Sequence, residues 1–389
     1  MKIMHTSDLH LGKVLNGYSL IDDQKDILER LLESAKEKDV DVIMISGDIY
    51  DKSVPSEETV TLFDDFLYKA SNSGIRIVAI SGNHDSAERL NYASRLMESK
   101  GIYIAGVYDG HVKKVTVTDR NNVKVNFYLL PFVRASQVAA CHRDKVMEGK
   151  SISYEEAVSL ALSDVKPDAG EWNILLCHQF VAADDKEPEM AGSEMMVINS
   201  VGTLEKVSYR VFDGFDYAAL GHIHRSQKVG RENVRYSGSL LKYSLSEAND
   251  EKSIPLITID NNTKTDGIKI DYMKLKPKRD IIHLRGRLED VINTDTATES
   301  GCFVYVTLTD EEIPIEAAER LKMKFPSLLS IDYDNRHFRD IKKADITDDF
   351  DKISFKDLVG KFYMQITGNE ITDEEMQIIS EAAREAEIQ

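Results

Sequence analysis

The chain has 389 residues, 42% of them hydrophobic and 30% charged, with a formal net charge of −18. That length suggests two domains, the first large enough to bury a broad sheet, and the charge excludes a protein that grips nucleic acid through an overall positive field. No apolar stretch approaches the ~20 residues that span a bilayer, and the three cysteines (Cys141, Cys177, Cys302) are odd in number and outside any metal-binding spacing, as in a reducing cytoplasm.

The first half alternates strand-like and helix-like segments in the manner of a layered α/β domain. Lys2 to Met4 opens the chain as a β-like run where a leader would be charged and then apolar. Leu20, Ile27, Leu28, Leu31 and Ala35 recur at helical spacing, and Val40 to Ser46 comes next as an apolar run of strand length. Ser56 reads as a helix cap with Glu57 and Glu58 in the first turn and Val60, Phe63, Phe66, Leu67 and Ala70 on one face. Further strands are expected at Ile75 to Ser81, Lys124 to Leu130, Trp172 to Cys177 and Phe215 to Leu220, with helices over Arg134 to Met147 and Tyr154 to Asp164.

A boundary is expected near Lys274 to Arg279, where a proline interrupts a basic cluster. This divides the chain into a domain over 1–275, a small α/β domain over 276–345 and terminal helices over 346–389. In the small domain, Ile281 to Leu284, Phe303 to Leu308 and Leu328 to Tyr333 read as strands, with a helix between the last two. In the tail, Ser354 caps a helix with a stripe of Phe355, Leu358, Val359, Phe362, Tyr363 and Ile366, and Thr372 with Glu375 forms a capping box before Met376, Ile379, Ala383 and Ala386. From Ala344 to Gln389 there are twelve acidic and four basic residues, a net of −8 that repels phosphate, so the tail is read as a docking element.

The chemistry lies at the ends of the strands. Met1 to Thr6 leads into Ser7-Asp8-Leu9-His10, Val40 to Ser46 into Gly47-Asp48-Ile49-Tyr50-Asp51, and Ile75 to Ser81 into Gly82-Asn83-His84-Asp85. Ile174 to Cys177 leads into His178, and Tyr217 to Leu220 into Gly221-His222-Ile223-His224. In layered α/β folds the carboxyl ends of strands are where loops converge on one crevice. Carboxylate and imidazole ligands suit a pair of hard-to-borderline divalent cations such as manganese, iron or zinc. An x-His spacing puts both partners of Asp8/His10 or His222/His224 on one side of an extended segment. Asp48 is assigned as the carboxylate that bridges two ions, and Gly47, Gly82 and Gly221 precede ligands where the backbone has to crowd the site. Taken singly, each piece has an ordinary explanation: a chance Asp-x-His, a Gly-Asp turn, an Asn-His-Asp cap, a satisfied strand-end His178. Five in this order do not. His5, His111, His142, His283 and His337 belong to no such cluster.

These signatures resemble the calcineurin-like metallophosphoesterase superfamily, and Tyr236-Ser237-Gly238-Ser239-Leu240-Leu241-Lys242-Tyr243-Ser244 is similar to a segment of its DNA-nuclease subfamily. The resemblance is strong to about residue 275 and looser beyond. It implies a layered β-sandwich flanked by helices, with one ion held by Asp8, His10, Asp48 and His224 and a second by Asp48, Asn83, His178 and His222. His84 is then the non-ligand catalytic histidine, and Asp51 completes a Gly-Asp-x-x-Asp pattern, either orienting His84 or bracing its loop. Lys52-Ser53 stands where phosphoprotein phosphatases carry Arg-Gly, which counts against that activity.

The resemblance further implies manganese-dependent exonuclease and endonuclease cleavage of duplex ends and hairpins. It also implies a coiled-coil ATPase subunit gripped by the terminal helices, homodimerisation within a heterotetramer, a cytoplasmic location and no membrane. Candidate DNA contacts are Lys113 and Lys114; Arg134, His142, Arg143 and Lys145; and Lys274, Lys276, Lys278 and Arg279. Two other readings stay open: a small-molecule or cyclic-nucleotide phosphodiesterase, which shares every ligand, and a structural DNA-end tether or ATPase regulator whose metals no longer turn over.

Overall fold

The computed structural model describes residues 1–147, 151–184, 186–192, 206–261, 263–264, 267–294, 301–312 and 314–334, and short tail pieces at 359–360, 363–364, 371–372 and 375–380. It divides into two compact units, Met1–Ile282 and His283–Gln389.

The larger unit is built on two six-stranded sheets. The first runs in the order Lys269–Met273, Ile254–Thr258, Lys2–Thr6, Val42–Ser46, Arg76–Ile80, Ile102–Ala105. Its last four strands are parallel and its first two antiparallel. The second runs Gln227–Val229, Arg231–Tyr236, Tyr217–Gly221, Trp172–His178, Lys124–Leu130, Lys113–Thr118, parallel in its middle and closed by an antiparallel strand at each edge.

Strand alternation explains how the sheets stack. Ile3, Val42, Met44, Val78 and Ile80 of the first sheet meet Phe127, Leu129, Ile174, Leu176, Tyr217 and Ala219 of the second in one core. The alternate residues are buried as well. Met4, Ile43, Ile45, Ile77 and Ala79 are shielded on the other face of the first sheet, where helix Glu57–Asn72 packs on strand Arg76–Ile80. Tyr128, Leu130, Leu175, Cys177, Ala218 and Leu220 pack with Ala157, Val158 and Ala161 of helix Tyr154–Leu162 on the outer face of the second. Strands buried on both faces read as continuous apolar runs, which is why Val42–Ser46 and Trp172–His178 are recognisable from composition alone.

The cap at Ser56 is present, its hydroxyl accepting from the Thr59 amide at 3.3 Å. A further capping box, Ser153 with Glu156, starts helix Tyr154–Leu162 and was not foreseen. The helix expected over Arg134 to Met147 covers only Ala135–Cys141 and ends where His142 leaves helical geometry and meets the Tyr108 hydroxyl at 2.8 Å. The strands Ile102–Ala105, Lys113–Thr118, Arg231–Tyr236, Ile254–Thr258 and Lys269–Met273 were also unforeseen. Of the edge strands among them, Lys113–Thr118 buries one face and Lys269–Met273 neither, and charged residues dilute their alternation, whereas Ile102–Ala105 is only four residues long.

The smaller unit's sheet has the order Ile281–Gly286, Phe303–Leu308, Leu328–Tyr333, with helix Ala317–Lys324 between the last two. Most of the tail expected to be helical, including Ser354 to Leu358, lies outside the described residues. Of the tail residues described, 359–360, 363–364 and 375–380 are helical, and Thr372 and Glu375 make the expected capping box: the Glu375 amide donates to Thr372 Oγ1 at 3.3 Å and the Thr372 amide to Glu375 Oε2 at 2.9 Å. Among the described residues no helix is long and apolar enough to cross a membrane, and no disulfide links the cysteines.

One buried histidine joins the sheets. His5 is fully buried between Tyr217 Oη at 3.0 Å and Ser46 Oγ at 3.2 Å, and burial, reinforced by Arg235, lowers its pKa from 6.5 to about 3. A folded pKa depressed in this way means that the neutral ring contributes stability above the unfolded value, and that this is lost as pH falls from 6.5 toward 3. The contribution amounts to about 2 kcal/mol of lost stability at pH 5. His5→Gln is therefore expected to be less stable than the wild type at pH 7, yet to lose less of its urea midpoint between pH 7 and pH 5, as followed by far-UV circular dichroism.

Candidate metal centre

The carboxyl ends of five strands, three from the first sheet and two from the second, converge on one buried pocket. Asp8 and His10 follow Lys2–Thr6, Asp48 follows Val42–Ser46, and Asn83 and His84 follow Arg76–Ile80. His178 ends Trp172–His178, and His222 and His224 follow Tyr217–Gly221. The two sheets touch here, since His178 Nδ1 lies 2.7 Å from the Ser46 carbonyl oxygen. A side chain on Gly221 would collide with that same carbonyl, and one on Gly82 with the Asp48 carboxylate. Only glycine lets the backbones close in. Asp8, His10, Asp48 and His222 all have positive φ, of 52°, 42°, 50° and 101°. Such backbone costs on the order of 1–3 kcal/mol per non-glycine residue and persists where surrounding structure imposes it.

Within the pocket, electron-pair donors face one another. His10 Nε2 is 3.1 Å from His224 Nε2. Asn83 Oδ1 lies 3.0 Å from His178 Nε2 and 3.1 Å from His222 Nδ1. His178 Nδ1 donates to Ser46, so in the neutral ring Nε2 carries a lone pair, and it points at Asn83 Oδ1 and at Asp48 Oδ2, 3.4 Å away. Among the described residues, His10 Nδ1 and His222 Nε2 are buried without a hydrogen-bond partner. Three overlapping trios, Asp8–His10–His224, His10–Asp48–His84 and Asp8–Asp48–His178, each have donor atoms within 4.8 Å of one another. A ring proton or a cation has to lie between each pair of these atoms, and carboxylate, imidazole and amide oxygen are the donors that borderline divalent cations take. The residues therefore fit such a group.

The electrostatics agree. Burial opposes ionisation of Asp48, yet His178, His10 and His84 around it hold its carboxyl far below the usual range. Burial would lower His178, but Asp48 and Asp8 outweigh it and hold it up at about 9. A proton on His178 thus stands in for the cation that would otherwise face Asp48. His222, buried and beside His178, falls to about 4, and burial likewise lowers His10.

His84 differs from the other histidines. His10, His178, His222 and His224 are all at least 95% buried, whereas the His84 side chain is 30% exposed. Its amide donates to Asp48 Oδ1 at 2.8 Å, its Nδ1 lies 3.0 Å from the backbone carbonyl of Asp51, and its ring stands edge-on to His10. The Asp51 carboxylate itself points elsewhere: Oδ1 is 2.9 Å from Lys13 Nζ and 3.5 Å from His10 Nδ1. Burial would raise it, but His10 and Lys13 hold it at about 2. Asp51 thus meets His84 through its main chain and braces its own loop through its side chain.

Several residues around the pocket were not singled out in the sequence. Asp85 accepts from the amides of Ile49 at 3.1 Å, Tyr50 at 2.8 Å and Gly82 at 2.9 Å, tying two ligand loops together. Burial and the nearby Asp48 charge raise its pKa to about 6 against the pull of those amides. Ser7 Oγ donates to Asp8 and meets Ser237 Oγ at 2.8 Å. Tyr243 Oη donates to the Leu9 carbonyl at 2.5 Å and its ring stands edge-on to His10 and His224. Ser237 and Tyr243 lie in the 236–244 segment, so the resemblance was the only available signal for them.

Most basic candidates are already engaged. Lys113 pairs with Glu98 at 2.7 Å and Lys145 with Asp164 at 3.0 Å, Lys274 with Glu251 and Arg279 with the buried Asp23, while Lys114 lies over the Tyr128 ring. His142 is buried, and Arg134, Arg143, Lys276 and Lys278 are exposed.

A family model described as calcineurin-like phosphoesterase matches residues 1–226, the stretch that carries all of these strand ends. The chain belongs to the calcineurin-like phosphoesterase family. It is an SbcD-type member: a second model, for the SbcD C-terminal region and described as "Type 5 capsule protein repressor C-terminal domain", matches residues 277–367. The SbcD subunit of the SbcCD nuclease from Staphylococcus epidermidis is 32% identical over 335 residues, covering 85% of each chain. Two solved structures are more distant. TT1561 of Thermus thermophilus is 13% identical with a TM-score of 0.37, covering 71% of this chain and 99% of its own. A dimetal phosphatase from Danio rerio is 13% identical with a TM-score of 0.37, covering 67% and 92%. Family membership makes the chain a hydrolase of phosphate esters, and with the His/Asp cluster it points to divalent-metal binding.

If Asp85 organises the ligand loops, Asp85→Ala should weaken Mn2+ binding by roughly 10–100-fold, the usual cost of losing an outer support. Isothermal titration calorimetry checks this, with far-UV circular dichroism expected to stay native-like.

Proposed function

We propose that this phosphoesterase is a metal-dependent DNA nuclease, a double-strand exonuclease and a hairpin or single-strand endonuclease that works with an SbcC-type coiled-coil ATPase in DNA end processing, repair and recombination. The observation that carries the reading is the pocket where electron-pair donors from five strand ends are held against one another beside one solvent-accessible histidine. The Staphylococcus epidermidis nuclease subunit supports DNA as the substrate class.

Asp8, His10, Asp48 and His224 would hold one cation, and Asp48, Asn83, His178 and His222 the other, most suitably Mn2+. When bound, such a pair supplies a water acidic enough to act near neutral pH and positive charge for the phosphate oxygens. The chain's own contribution is orientation. Burial keeps the ligand imidazoles from solvent, and the backbone of His84 is pinned to Asp48. With Nδ1–H donated to the Asp51 carbonyl, His84 holds Nε2 beside the donor cluster, 4.0 Å from Asp48 Oδ2, where a protonated ring can donate to the departing sugar oxygen. Proton transfer of this kind is typically worth ~10²–10⁴ in rate. At a net charge of −18 the chain attracts phosphate only locally, and a dication pair is the strongest local source. The acidic tail fits the ATPase rather than DNA, within a heterotetramer built on a dimer of this chain in the cytoplasm.

Cleavage of an end-blocked radiolabelled duplex, with and without Mn2+, tests the reading, and hydrolysis of cyclic nucleotides in parallel is expected to be far weaker. The reverse preference would move the substrate to small molecules. His84→Ala should retain bound metal by plasma mass spectrometry while losing ~10²–10⁴ of its rate, whereas Asp48→Ala should lose metal as well. Deleting residues 350–389 should abolish capture of the ATPase subunit in a pull-down and leave metal-dependent diesterase activity intact. Unchanged capture would show that the tail is not the docking element.

A further inference from the structure

A buried carboxylate outside the ligand set stands beside one of its histidines. Glu247 is fully buried, and its Oε1 lies 3.8 Å from His224 Nδ1. Its Oε2 receives Lys252 Nζ at 2.5 Å, and the same ammonium donates to the His224 carbonyl at 2.8 Å and to Ser239 Oγ at 2.9 Å. An ammonium has three protons to donate, and Lys252 directs them to Glu247, to Ser239 and to the main chain of His224. A buried ion pair is a weak source of stability, because desolvation offsets much of the attraction. Its placement here calls for another account.

We propose that Glu247, clamped by Lys252, is a positioning residue for His224 and builds one cation position of the pair but not the other. At 3.8 Å the contact is electrostatic and too long for a hydrogen bond. Negative charge beside Nδ1 favours the tautomer with its proton on that atom. The lone pair then falls on Nε2, the nitrogen 3.1 Å from His10 Nε2 inside the pocket. A metal-binding imidazole requires this arrangement, and carboxylates commonly supply it from the outer layer. The opposite flank has its own device, because His178 Nδ1 donates to the Ser46 carbonyl at 2.7 Å and needs nothing from Glu247. Loss of the Glu247 charge therefore acts on one ion. The inference rests on the two-cation reading above.

Glu247 Oε1 also accepts from the Tyr243 amide at 3.2 Å and from Ser244 Oγ at 2.8 Å, so a loop-bracing role has to be separated from positioning. Glu247→Gln keeps a carbonyl acceptor for both groups, removes the charge and leaves an amide NH2 where Oε2 accepted from Lys252, a donor–donor contact that the double variant below relieves. Mn2+ titrated into the full-length chain, with free Mn2+ read by electron paramagnetic resonance, should show two ions per wild-type chain. In Glu247→Gln one of them should be weakened ~10–100-fold and the other unchanged, and His224→Ala should weaken the same one. The double variant Glu247→Gln with Lys252→Met leaves no charge unpaired; it carries the same expectation and serves if the single variant does not fold. Two ions bound by Glu247→Gln at wild-type affinity, or both weakened equally, would overturn the inference and leave the two-cation reading standing. A wild-type chain that binds fewer than two Mn2+ overturns both.

Discussion

Metal-ligating side chains from five strand ends, crowded into one buried pocket, are the constraint on which the rest of this structure depends. The Asn83 oxygen between two imidazoles, and His10 against His224, are arrangements that water would break apart if the pocket could open. It cannot open easily, because each participant sits on the end of a strand whose body is buried on both faces. The sandwich core therefore does two things at once. It stabilises the larger unit, and it holds in place a cluster of desolvated polar groups that, together with four non-glycine residues at positive φ, favours unfolding.

The same constraint divides labour among the histidines. In the proposed mechanism the histidines that are at least 95% buried serve as ligands, since a buried imidazole has no path to a departing group. His84, anchored by its main chain and 30% exposed, is the one that the same proposal assigns to proton exchange with a substrate. Around them runs a layer of orienting groups: the Ser46 carbonyl for His178, Asp85 for the ligand loops, Tyr243 for the Leu9 carbonyl, and Glu247 with Lys252 beside His224. The layer mixes main-chain and side-chain groups, and only the side-chain part is accessible to substitution.

The surface charge complements this picture. Several of the lysines and arginines that look available in the sequence are committed to nearby carboxylates, as Arg279 is to the buried Asp23 and Lys145 to Asp164. In a chain with 67 acidic and 49 basic residues most cations find a partner, so clusters of basic residues are weak guides to a phosphate site. The strands carrying the ligands were legible because burial on both faces makes them uniformly apolar. The edge strands Lys113–Thr118 and Lys269–Met273 were not, because charged residues on their open faces remove the contrast on which alternation depends.

What the sequence determined by itself was the set of chemically capable residues and their place after apolar strands, because ligand type and the strand-then-turn pattern are local properties of the chain. It did not determine which groups orient those residues. Asp51 is the clearest case: the sequence left open whether it orients His84 or braces its loop, and the fold turns the carboxylate to Lys13 and His10 and offers His84 a carbonyl. Glu247 and Lys252 carry no local signal at all, since their meaning comes from strands of the second sheet lying parallel and bringing residue 224 back over residue 247. Distances between atoms far apart in the chain are set by packing, and only the tertiary structure decided them.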